Sequence, residues 1–121
     1  MKILFSVLLF SISYKSCDQL KTSPAIVNGT IIHRSCATIA VQVLDETHYN
    51  LGQASWQQGS GQPVFEHVFS VANQCSFPAE AKVGEKIKFA VLASDSTAAD
   101  CMLCELWDNP PKKKQLIKVI K

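Results

Sequence analysis

The sequence lacks most of what usually nominates a chemistry. No stretch shows helical periodicity beyond two turns and no segment repeats, which argues against helix bundles and solenoids. The five glycines are dispersed; Gly59-Ser60-Gly61 reads as a flexible turn, not a phosphate-cradling loop. No serine, histidine and aspartate stand in a spacing that suggests a nucleophile with its base, and the ten acidic residues are too scattered to nominate a glycosidase pair. His33 and His48 fall at element ends and read as solvated. His67, between phenylalanines at alternate positions, reads as a hydrogen-bonded sheet residue. No residue is therefore nominated as catalytic, as a metal site or as a cofactor ligand. Long hydrophobic runs are also missing: Ile3 to Ser13 is 11 apolar and hydroxyl residues, against roughly 20 needed to span a bilayer.

That short run, preceded by Lys2 and followed by small residues, has the form of a secretory signal peptide. Cleavage after Ser13 would suit an ordinary signal peptidase. Cleavage before Cys17 would suit Tyr14-Lys15-Ser16-Cys17, which resembles a degenerate lipobox and, with the leader, resembles the small exported lipoproteins of Bacteroidota-type bacteria. The resemblance covers about the first 20 residues. It implies a lipid on Cys17 and an anchoring mode, and no activity. The expected organisation is a signal peptide over 1–16, a lipid-anchored tether over 17–24 and one domain over 25–121, in the periplasm or at the cell surface. Of twelve basic side chains, Lys2 and Lys15 fall in the leader, so the mature chain balances ten basic against ten acidic residues. Neutrality speaks against nucleic acid as a partner, which calls for a concentrated basic surface.

Five cysteines, Cys17, Cys36, Cys75, Cys101 and Cys104, are an odd number for an oxidising compartment. Lipidation of Cys17 would leave four, and two structural disulfides are the expected use of them. Three connectivities are open. If residues 101–107 form a regular strand, Cys101 and Cys104 lie on opposite faces about 10 Å apart, whereas bridged Cα atoms sit within about 7 Å. Each would then pair with Cys36 or Cys75, unless Met102-Leu103 make a turn. The alternative is a thiol-redox or zinc role for Cys101-x-x-Cys104. The acidic neighbours Asp100 and Glu105 would raise a thiol pKa instead of activating it, and a single Cys-x-x-Cys is half of a zinc signature.

The rest alternates like strands. Asn28-Gly29, flanked by β-branched residues, predicts a hairpin turn; the sequence Asn28-Gly29-Thr30 is also a glycosylation sequon. Residues 36–45, 63–73 and 85–93 alternate, with Ile39, Val41 and Val43, then Phe65, Phe69 and Val71, then Ile87, Phe89 and Val91 each on one face. Residues 51–58 around Trp56, 101–107 and 114–121 add strands. The expected fold is all-β: a small antiparallel β-sandwich, with a five-stranded Greek-key barrel as runner-up. Trp56 and Trp107, the latter beside Asp108-Asn109-Pro110-Pro111, are the candidate ligand-binding residues, as an aromatic platform for a glycan or peptide. Lys112-Lys113-Lys114 reads as a solvated turn. The functional expectation is a non-catalytic binding or structural module, held at the membrane by a lipid anchor, with an envelope protein or glycan as its partner.

Overall fold

A computed structural model describes residues 25–93, 101 and 104–120. The leader, the tether and Cys17 lie outside them, as do residues 94–100. The described chain is all-β. Its strands are β1 (Ile26–Arg34), β2 (Ile39–Val43), β3 (Gln53–Gln57), β4 (Val64–Val71), β5 (Lys86–Val91), β6 (Lys114–Gln115) and β7 (Ile117–Ile120), with 3-10 turns at Glu46–Leu51 and Gln74–Ser76.

The strands form one sheet in the order β3-β4-β2-β1-β5-β7, antiparallel along that path. The sheet bends over a single main core as a small sandwich. The last strand element is split at Leu116: β6 runs parallel to β4, while β7 pairs with β5. A two-residue parallel contact laces β6 to β4, and the sheet does not close into the barrel of the runner-up. Asn73 bridges this corner: its side-chain oxygen accepts from the Ile117 amide at 2.9 Å and its Nδ2 donates to the Ile117 carbonyl at 2.7 Å. A side chain here supplies the two bonds a neighbouring strand would make.

Alternation places Val27, Ile31, Val41, Val43, Phe69, Val71, Phe89 and Ile117 in the main core. Phe69 and Phe89 meet edge-on with centroids 5.4 Å apart, and burying each contributes about 2–3 kcal/mol.

Asn28-Gly29 is not a turn. Both residues sit inside the nine-residue β1. A Cβ at Gly29 would stand 2.7 Å from Val41 Cγ1 and 2.9 Å from Phe89 Cε1, so glycine is there to let two strands and a ring close on the backbone. Asn28 instead binds Asp45, whose carboxylate accepts from the Asn28 amide at 2.8 Å. That bond, then the side-chain bond from Asn28, holds the Asp45 pKa below its ordinary value.

The expected common face of Phe65, Phe69 and Val71 is also broken. His67 takes a left-handed φ of +59° inside β4, a conformation uncommon for a non-glycine residue. Phe69 and Val71 stay in the main core, while Phe65 joins a second cluster with Ala40, Val68, Trp56 and Ile32. His67 stacks flat on Tyr49, centroids 3.8 Å apart. Its backbone is backed by the buried Gly52, where any Cβ would collide with the His67 carbonyl group. Gly52→Ala should therefore destabilise the fold by about 2–3 kcal/mol. An unchanged urea midpoint in that variant would show that the kink at His67 yields without cost.

Candidate functional site

The segment expected to be a strand at 101–107 is irregular at its described residues and, with Asp108 and Asn109, forms a strap fastened to the sheet. Its attachments explain why it leaves the ladder. Cys104 is bridged to Cys36 in the β1–β2 connection and Cys101 to Cys75 in the 74–76 turn, with Cα separations of 5.6 and 5.4 Å. Gln74 Nε2 donates to the Ala37 carbonyl at 2.6 Å, holding those two anchor points together. Two closely spaced cysteines thus clamp onto one corner of the sheet. Pro110 and Pro111 lack amide donors for a ladder, and Asn109 has a φ of +53°.

Asp108 is the polar centre of the strap. Its Oδ2 accepts from Ser35 Oγ at 2.5 Å and its Oδ1 from Thr38 Oγ1 at 2.5 Å. His33 Nε2 lies 2.8 Å from Oδ2; an ionised carboxylate can only accept, so this nitrogen carries the proton. Ser35 Oγ in turn accepts from the amides of Ala37 and Thr38 at 3.1 and 3.0 Å. Burial alone would raise the Asp108 pKa, but the hydrogen bonds from Ser35, Thr38 and His33 and the His33 charge outweigh it, and the pKa is lowered. The serine bonds the aspartate and not the histidine, so these residues are arranged to hold a carboxylate, not to activate a hydroxyl.

Asn109 continues the fastening: its carbonyl accepts from Trp56 Nε1 at 2.9 Å, and its Nδ2 donates to the carbonyls of Gln57 and Gln58 at 3.1 and 3.0 Å. Lys112 N donates to Gln53 Oε1 at 2.8 Å, and the buried Pro111 receives the Ser70 hydroxyl at its carbonyl, 3.2 Å.

Beside this strap lies a cleft of about 160 Å³. Ile32 and His33 of β1 form one wall, Trp56 and Phe65 the aromatic floor, and Gln58, Gln62 and Pro63 of the β3–β4 hairpin the rim. The His33 and Trp56 rings are 6.0 Å apart and tilted by 58°. A volume of this size holds one ring-sized group, well short of the roughly 300 Å³ at which drug-sized pockets begin.

The two candidate tryptophans have different surroundings. Trp56 is buried at 5% exposure with its indole N–H satisfied, so it lines the cleft but is not an exposed platform. Trp107 is 78% exposed, one residue before the Asp108 that binds the His33 wall. His33, expected to be solvated, is a largely buried partner of Asp108. No spacing signal in the sequence exposes the role of Asp108 and Asn109, because their partners lie about 50 to 75 residues away. Lys113 of the lysine run donates to the Asn50 carbonyl at 2.9 Å. Among the described residues, no three of His, Cys, Asp and Glu are grouped to hold a metal ion.

No family model, curated protein or solved structure matches this chain.

Proposed function

We propose that this chain is an exported, lipid-anchored and non-catalytic binding module of the cell envelope, and that it takes one neutral ring-shaped group, such as a sugar unit of a glycan, in the cleft at Trp56. The observation that supports this most is the cleft's make-up. Aromatic faces and amide side chains surround a volume of one ring, and the imidazole of His33 is already committed to Asp108. Aromatic surface supplies affinity for the apolar face of such a ring, and the amides of Gln58 and Gln62 can both donate and accept toward hydroxyls. Trp107 offers a second, open aromatic face for an adjoining unit. The two disulfides favour an oxidising compartment, and Cys17 is the residue that would carry the lipid.

The thiol-redox or metal alternative draws less support. Cys101 and Cys104 are bridged to different partners and not to each other, and reduction would release the strap rather than expose a poised dithiol.

Two measurements test the proposal. Titration with neutral hexose and N-acetylhexosamine oligosaccharides, followed by tryptophan fluorescence, should show saturable binding that Trp107→Ala weakens about tenfold. The absence of any saturable change up to millimolar sugar would overturn the glycan reading. Intact mass before and after reduction should show a diacyl or triacyl adduct on Cys17; an unmodified Cys17 would overturn the anchor.

A further inference from the structure

The outer face of β1, β5 and β7 extends past the Ile32 wall of the cleft to a second patch. Ladder register puts Lys86, Lys88 and Ala90 of β5 on it, with Lys118 opposite Ala90 and Ile120 opposite Lys88. On the other side stand Ile26, Asn28 and Thr30, opposite Ala90, Lys88 and Lys86. All three lysines are exposed, and two apolar side chains among them, Ile26 and Ile120, are 54% and 38% exposed. Among the described residues, no carboxylate forms an ion pair with Lys86, Lys88 or Lys118. The acidic groups around it are Asp45, whose oxygens are engaged by Asn28, and Glu80 and Glu85, which line a hollow with Lys86, Lys88 and Ile120. Glu85 precedes Lys86 in the turn before β5. The lysines are two residues apart along one strand or diagonal across the ladder, so their stems span roughly 15 Å.

A neutral domain that gathers three exposed ammonium groups around two exposed isoleucines has a surface suited to an anionic, partly apolar plane. We infer that this face lies on the membrane and binds the anionic head groups of phospholipids, with Ile26 and Ile120 directed at the acyl boundary. The chain's own path supports a membrane over a soluble polyanion. The segment before the fold enters it at Ile26, on this face, and the nine residue steps from Cys17 to Ile26 reach at most about 30 Å. A domain tethered that closely must turn some face to the bilayer. The inference rests on the anchored reading for its source of lipid.

The test is lysine footprinting of the full chain reconstituted in phosphatidylcholine vesicles, with and without about a third phosphatidylglycerol, using an amine-reactive label and peptide mass analysis. Each lysine near an anionic surface gains about fivefold in affinity, so three together gain roughly 100-fold. Lys86, Lys88 and Lys118 should label several-fold more slowly on the anionic vesicles, and recover in about 1 M salt, where the screening length is about 3 Å. Lys112 and Lys114 should label equally on both. The K86Q/K88Q/K118Q variant should lose the preference for anionic vesicles in flotation. Equal labelling of the three lysines on both vesicles would overturn the inference. So would protection by dextran sulfate without protection by phosphatidylglycerol, which would assign the face to a polysaccharide. The mass of Cys17 is read separately, so a failed anchor and a failed face are distinguishable: an unlipidated chain with a true lipid face still floats selectively with the anionic vesicles.

Discussion

Replacing Cys36 and Cys104 by serine, or Cys75 and Cys101, is expected to lower the unfolding free energy by about 4 kcal/mol in each case, and replacing all four should leave the chain unfolded at 37 °C. The bridges join residues 68 and 26 apart in sequence. In the chain-entropy account, closing loops of those lengths removes about 4.4 and 3.6 kcal/mol of denatured-state freedom. Together that is comparable to the whole stability of a domain of this size, about 5–15 kcal/mol. Urea unfolding with and without reductant, followed by Trp56 fluorescence, measures it. A midpoint unmoved by reduction would mean that Asp108 and Asn109 hold the strap without the bridges. The two pairs need not act equally on the cleft: Cys104 lies four residues from Asp108, so loss of the Cys36 bridge should also loosen the His33 wall.

Asp108→Ala is expected to cost about 3–4 kcal/mol and to remove part of the protein's acid sensitivity. The variant leaves the Ser35 and Thr38 hydroxyls and the His33 N–H without their common acceptor in a poorly hydrated place, and hydrogen bonds to a charged group are worth about 1.5–3 kcal/mol each before partial replacement by water. The sign of the pH effect follows from the lowered pKa. The carboxylate's stabilisation is fully present above the unfolded value of about 3.9 and disappears as the pH falls through the lower folded value. The native protein should therefore lose stability below about pH 4 more steeply than the alanine variant does. Parallel acid limbs for the two proteins would show that Asp108 is held no better folded than unfolded.

What the sequence made legible was the part governed by nearest neighbours. Alternation marks β2, β5 and the second half of β4, because each strand buries one face and the period of two survives in the residues. It misplaced β1 because Asn28-Gly29 has the composition of a turn, while the reason for Gly29 is a crowded approach of Val41 and Phe89 from distant strands. It missed the reversal at His67, since a single left-handed residue leaves no mark in a hydrophobic pattern. The strap was harder still. An apolar stretch with two cysteines reads as a strand until its partners are known, and those partners, Cys36, Cys75, His33, Thr38 and Gln57, become neighbours after the sheet has formed.

The division of the last strand at Leu116 bears on the order in which this protein can assemble. Residues 114–115 join β4, residues 117–120 join β5, and Asn73 receives Ile117 between them. A chain that emerges N-terminus first can form the β1–β2 and β3–β4 pairs early, since their partners are close in sequence. It cannot tie β4 to β5 until residues 114–120 have arrived. Folding should therefore be slow and all-or-none, as expected of a topology dominated by distant pairings. Truncation before Ile117, which removes β7, should leave β5 with an open edge and the core unsealed, a form more prone to join another copy edge to edge than to stay alone.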